Sequence, residues 1–189
     1  MTSMAGGRTT YKLGVIHGRF QVLHNDHLTY LLTGKSLCRH LVVGVTNPDP
    51  RLTGDDPSDQ QRSSPEANPL TYYERQVMLR EALQETGIES KDFSIVPLPI
   101  NFPELYKYYV PLDAVFFLTI YDDWGKKKLE YFQSLRLQTH ILWDVPPEQK
   151  GLSGQEVRRL LRVNGDWESC VPGSVAGLIK AWRIRDRLG

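Results

Sequence analysis

The chain has 189 residues, enough for one domain with a substantial core. Hydrophobic residues make up 40% and charged residues 24%, ordinary values for a globular protein, and the formal net charge of +1 gives no argument for nucleic acid or a membrane surface as partner. No apolar run approaches the roughly 20 residues of a membrane helix, and the two cysteines, Cys38 and Cys170, support neither a disulfide framework nor a zinc site.

The first ten residues, MTSMAGGRTT, lack the apolar stretch of a secretion signal and read as a flexible tail, leaving residues 11–189 as one domain. With so few cysteines, a reducing cytoplasm is the expected location. "KLGVIHG" (12–18) is a short apolar run ending in glycine, the pattern of a buried strand. "DHLTYLLTGKSLC" follows, with Leu28, Leu31, Leu32 and Leu37 at near-helical spacing, placing Cys38 at the helix edge. "HLVVGVT" (40–46) is a second strand rich in β-branched residues.

Residues 47–69 are rich in Pro, Asp, Ser and Gly and read as a long surface loop of the kind that often serves as a lid, with Arg51 and Arg62 as its cations. "TYYERQVMLREALQETG" (71–87) is a helix that Thr71 can cap, Glu74 can complete as a capping box and Gly87 can stop. Arg75 on that helix reads more readily as part of a solvated face than as a crevice residue. "FSIVPLPI" and "DAVFFLTI" (113–120) are the third and fourth strands, "DWGKKKLEYFQSL" a helix and "THILWDV" the fifth strand. Two helices close the chain. Strands alternating with helices predict an α/β fold with a mostly parallel five-stranded sheet flanked by helices.

In such sheets the ligand crevice lies beyond the carboxyl ends of the strands. "GRFQVLHNDHLTYLL" (18–32) sits there, at the first strand-to-helix crossover. A helix N-terminus offers unpaired N–H groups, imidazoles add donors, Gly18 lets the backbone approach a phosphate, and Arg19 supplies a forked cation. His24 and His27 are three apart, so both rings can meet one ligand. A zinc site is the sharper alternative, but the spacing is not the usual i, i+4 and no third ligand set accompanies it. A cap flanked by two surface histidines is the better reading of His-x-x-His taken alone. "GLSGQEVRRLL" alters that balance: Ser153 and Gly154 precede a helix carrying Arg158 and Arg159, a second phosphate grip.

Three segments together resemble the nucleotidyltransferase superfamily marked by a His-x-Gly-His motif, and most nearly the archaeal type of nicotinamide-nucleotide adenylyltransferase. They are Gly18-Arg19-Phe20-Gln21-Val22-Leu23-His24-Asn25-Asp26-His27, Asn68-Pro69-Leu70-Thr71-Tyr72-Tyr73-Glu74-Arg75, and Ser153-Gly154-Gln155-Glu156-Val157-Arg158-Arg159. The resemblance implies a Rossmann-like fold and transfer of AMP from ATP to nicotinamide or nicotinate mononucleotide, with release of pyrophosphate, in NAD biosynthesis. It implies that His24 and His27 hold the ATP phosphates, with Gly18, Arg19, Phe20, Ser153 and Arg158 completing the site. It further implies that Mg²⁺ bridges phosphate oxygens with few protein ligands. Small nucleotides are then the partners, and a homo-oligomer is allowed.

Asp26 stands where the motif has glycine. A carboxylate roughly 4 Å from a phosphate charge costs about 4 kcal/mol at an effective dielectric of 20, around a thousandfold in binding. Asp26 therefore turns outward as helix N-cap, pairs with His27 or Arg19, or ligates Mg²⁺; otherwise the protein binds nucleotide without turnover. Gln155 replaces a common Thr and Val22 a common Pro. His17 occupies a position that is commonly apolar and either faces the crevice or bonds to backbone. For the acceptor, Phe102, Tyr106, Tyr108, Tyr109 and Trp124 are the aromatic candidates and Lys126 to Lys128 the cationic ones. A different acceptor or nucleotide, CTP with a sugar- or alcohol-phosphate for example, is the alternative chemistry.

Overall fold

The computed structural model describes residues 11–53 and 64–188; the expected N-terminal tail and Arg62 lie outside them. Five strands, β1 (Tyr11–Gly18), β2 (Cys38–Val45), β3 (Phe93–Pro97), β4 (Val115–Ile120) and β5 (Gln138–Asp144), form one all-parallel sheet in the order β3-β2-β1-β4-β5. Helices α1 (Asn25–Leu37), α2 (Tyr72–Glu85), α3 (Asp123–Ser134), α4 (Gly154–Arg162) and α5 (Gly173–Ala181) connect and cover it. This is the parallel α/β sheet expected from the alternating pattern and the Rossmann-like fold that the resemblance implies.

Side chains alternate between the two faces of each strand, which divides the core in two. Ile16 of β1 and Phe117 of β4 pack with Leu31, Leu79, Val157 and Ile179, from α1, α2, α4 and α5. Val15 of β1 and Phe116 of β4 turn the other way, onto Phe132 of α3 and Tyr106. Both faces are covered, so β4 reads as an almost unbroken apolar run.

The capping box of α2 forms as expected: Glu74 N–H donates to Thr71 Oγ1 at 3.2 Å and Thr71 N–H to Glu74 Oε2 at 2.9 Å. Gly87, at φ +86°, follows the helix in a left-handed conformation that glycine adopts without strain. Cys38 stands at the helix edge as expected, as the C-cap of α1 and the first residue of β2, and its buried thiol donates to the Gly34 carbonyl. No helix among the described residues is long and apolar enough to cross a membrane.

After β3 the chain crosses to the opposite side of β1 to lay down β4. The connections from β1 and β4 therefore diverge, leaving an opening above their carboxyl ends. Both the Gly18–His27 segment and the Ser153–Arg158 segment reach that opening.

Candidate functional site

A crevice of about 600 Å³ occupies this switch point. Its wall includes Gly18, Arg19, Phe20, His24, His27, Ser153 and Arg158, so the residues that the resemblance assigns to the site all reach one cavity. Five cations line it, Arg19, Lys127, Lys128, Lys150 and Arg158, against two carboxylates, Asp26 and Asp122. Such an excess of positive charge within low-dielectric walls suits a polyanion.

The two imidazoles are held as a pair. His24 is the N-cap of α1, and its Nδ1 accepts the His27 N–H at 3.4 Å. The rings stack with centroids 3.6 Å apart and planes at 25°. An Nδ1 that accepts is unprotonated, so the neutral tautomer of His24 carries its proton on Nε2 and can offer it to a ligand. Burial pushes the His24 pKa down to about 4, with Asp26 pulling weakly upward. Burial, then His24 and Arg19, hold His27 well below the ordinary histidine value, while its bond to the Val22 backbone pulls the other way. Both rings are therefore neutral at pH 7. A phosphate would reverse that bias by favouring the charged form.

Gly18 has a packing role. A Cβ there would meet the ring of Phe20 at 2.9 Å. Phe20 folds back beneath the strand end at φ +52°, is 1% exposed, and sets its ring edge-on to His27 at 5.1 Å. Phe20 thus supports the histidine pair from below, and glycine at 18 makes room for it.

Arg75 corrects the expectation of a solvated helix face. It is 1% exposed, and its guanidinium donates to the carbonyls of Arg19 at 3.0 Å, Thr46 at 2.8 Å and Asn47 at 2.8 Å. Its Nε reaches the Thr71 carbonyl at 3.2 Å. These carbonyls belong to the ends of β1 and β2, so Arg75 clamps the backbone that forms the crevice rim. Burial lowers its pKa to about 10, which leaves it charged at neutral pH. Gln21 adds a second tie by exchanging two 2.9 Å hydrogen bonds with the backbone of Leu70.

Arg158 reaches the crevice from α4 and donates to the Gln21 carbonyl, while Arg159 points outward and pairs with Glu156 at 2.7 Å. The second grip therefore offers one guanidinium. The Ser153 hydroxyl caps α4 by accepting the Glu156 N–H at 3.2 Å. Asp26 is not the N-cap of α1, since His24 holds that place; its Oδ2 accepts the Leu152 amide.

Of the aromatic acceptor candidates, Trp124 alone lines the crevice; Tyr106 is core, and Tyr108 is exposed. Lys127 and Lys128 line it too, whereas Lys126 pairs with Asp123 at 3.3 Å. Tyr131 and Phe132 were missed in the sequence reading. Trp124, Lys128 and Tyr131 recur at one helical face, a signal visible once α3 is placed at the end of β4. Among the described residues, no group of three or more His, Cys, Asp or Glu side chains could hold a metal ion.

No family model matches the chain. Over 175 residues it is 47% identical to a phosphonoformate cytidylyltransferase of Streptomyces viridochromogenes, an alignment spanning 93% of this chain and 94% of that one. This chain belongs to the nucleotidyltransferase superfamily. It is also 32% identical to a nicotinamide-nucleotide adenylyltransferase of Thermococcus onnurineus, over 94% of this chain and 87% of that protein. Among solved structures, a bifunctional NMN adenylyltransferase/ADP ribose pyrophosphatase of Francisella tularensis, complexed with AMP and a manganese ion, superposes with a TM-score of 0.67 at 14% identity. The superposition covers 94% of the nucleotidyltransferase and 52% of that longer chain. At such low identity the likeness supports the fold alone, in agreement with the parallel sheet described above.

Proposed function

We propose that this nucleotidyltransferase transfers CMP from CTP to a compact phosphonate or phosphate acceptor, releasing pyrophosphate. The observation that carries this reading is the 47% identity to a phosphonoformate cytidylyltransferase, set against 32% to the adenylyltransferase of Thermococcus onnurineus. An acceptor oxygen attacks the α-phosphorus of the triphosphate in line, a new P–O–P bond forms, and the bond to pyrophosphate breaks. The reaction needs no protein nucleophile; the site supplies position and positive charge.

In this reading His24 and His27 hold the triphosphate, with His27 at the reacting phosphorus. Arg19 and Arg158 offset charge on the leaving pyrophosphate, and the N-terminus of α4 at Ser153 adds its amides. Mg²⁺ would be held mainly by the substrate's phosphates rather than by side chains, since the two carboxylates of the crevice are already engaged, Asp26 by the Leu152 amide and Asp122 by the Gly125 amide at 3.0 Å. When bound, the ion neutralises phosphate charge.

Transfer of AMP to nicotinamide mononucleotide is the second reading, favoured by the aromatic wall of Trp124 and Tyr131. The test is pyrophosphate release with each of four nucleoside triphosphates against phosphonoformate, glycerol phosphate and nicotinamide mononucleotide. CTP with phosphonoformate is expected to give the highest kcat/KM, abolished in His27→Ala. A higher kcat/KM with ATP and nicotinamide mononucleotide would overturn the cytidylyl reading in favour of the second.

A further inference from the structure

We propose that His17 reads the acceptor, binding a carboxylate attached next to the reacting phosphonate, so that the crevice selects phosphonocarboxylates over simple phosphonates. This inference rests on the cytidylyl reading above and extends it to one side chain. The histidine pair and Arg158 lie on the side of the sheet packed by α1 and α4. His17 leaves β1 from the opposite face and sets its ring 5.2 Å from that of Phe132 on α3. If the triphosphate lies along the first side, the acceptor enters from the second.

His17 is 7% exposed, and among the described residues neither Nδ1 nor Nε2 has a hydrogen-bond partner. A buried imidazole left in this state is costly, and folded proteins pair nearly all such groups. An apolar residue in its place would pack against Phe132 with no such penalty. His17 lines the crevice while its nitrogens lie just beneath the wall, and a turn of the ring brings one of them to a ligand that meets it. Ile100 and Phe132 make the surroundings apolar, while Lys127 and Lys128 line the same wall. Burial, and secondarily Lys128, hold His17 neutral, so it offers one N–H beside cationic side chains. That combination welcomes a small anion and opposes the positively charged ring of nicotinamide mononucleotide. A carboxylate bonded to phosphorus is short enough to be held by His17 while the phosphonate oxygen faces the triphosphate.

The test compares phosphonoformate with methylphosphonate, at saturating CTP, in wild type, His17→Val and His17→Gln. For His17→Val the KM for phosphonoformate is expected to rise about 10- to 100-fold, the loss of one hydrogen bond to a charged group. Its kcat, its KM for CTP and its constants for methylphosphonate stay within about twofold, and His17→Gln recovers part of the loss. Calorimetric titration of phosphonoformate gives a readout independent of turnover, with binding to wild type and weakened binding to His17→Val. Thermal melting of His17→Val at or above the wild-type temperature establishes that the variant is folded. Equal penalties on both acceptors, or none on phosphonoformate, overturn the assignment of His17 and leave the cytidylyl reading standing. Wild-type protein that neither binds phosphonoformate nor uses it with CTP overturns both.

Discussion

Asp26 Oδ2 accepts a hydrogen bond from the Leu152 amide at 2.6 Å, joining the N-terminus of α1 to the segment that leads into α4. The residue that replaces the motif glycine thus ties together the two helix ends that flank the crevice. Gly151 packs directly against the same carboxylate, and a Cβ at that position would collide with it. The two positions are sterically and chemically matched. Removing the carboxylate by Asp26→Ala is expected to cost about 1 kcal/mol, because the bond is charge-assisted yet lies at the surface. Gly151→Ala should destabilise the wild type and cost little once Asp26 is glycine. A double-mutant cycle on urea denaturation measures this coupling, and additive effects would sink the link.

Arg75 makes a stronger demand on the fold. Truncation to alanine leaves the carbonyls of Arg19, Thr46 and Asn47 without the donor that joins them. The expected loss is about 3 kcal/mol or more, since several buried acceptors go unmet together. Arg75→Lys should recover only part of it, because one ammonium cannot copy the forked geometry. Urea unfolding midpoints of the two variants check both statements.

Acid should weaken the protein through its buried histidines. His24 has a pKa near 4 when folded, against an unfolded value of about 6.5. The unfolded chain therefore binds the proton first, and stability falls as pH drops from about 6.5 towards 4. His17 and His27 shift in the same direction. For His24 alone the loss between pH 7 and pH 5 is about 2 kcal/mol. Melting temperature against pH in His24→Asn should show a shallower slope than wild type across that window; identical slopes would count against the buried neutral ring.

Arg158 tests the grip from α4. Its guanidinium both reaches the Gln21 carbonyl and lines the crevice. Arg158→Ala is expected to lower kcat/KM for the triphosphate by about 100-fold, the worth of one charge-assisted contact. Arg159→Ala removes a solvent-facing pair with Glu156 and should change it little. Parallel kinetics on the two variants separate them, and equal effects would mean that the wrong arginine has been placed in the crevice.

Much of the architecture was legible because its signals are local. The apolar runs that became β1, β2 and β4, the Thr71–Glu74 capping box and the stop at Gly87 each depend on residues a few positions apart. Arg75 was misread for the opposite reason. Its position on α2 says nothing about the carbonyls at residues 19, 46 and 47 that enclose it. Phe102, Tyr106 and Tyr108 were plausible acceptor platforms by chemistry alone, yet they fall outside the crevice wall, where Trp124 and Tyr131 stand.

The sequence by itself determined the alternating strands and helices, the place of the crossover after β1 and the segments that carry the candidate site residues, because periodicity and capping are written within single segments. Only the tertiary structure decided where Asp26 turns, why Phe20 lies beneath the histidine pair and how His17 is left without a hydrogen-bond partner among the described residues. Those outcomes depend on which backbone atoms from distant segments come within hydrogen-bond or van der Waals reach, and that is settled when the sheet and its covering helices pack.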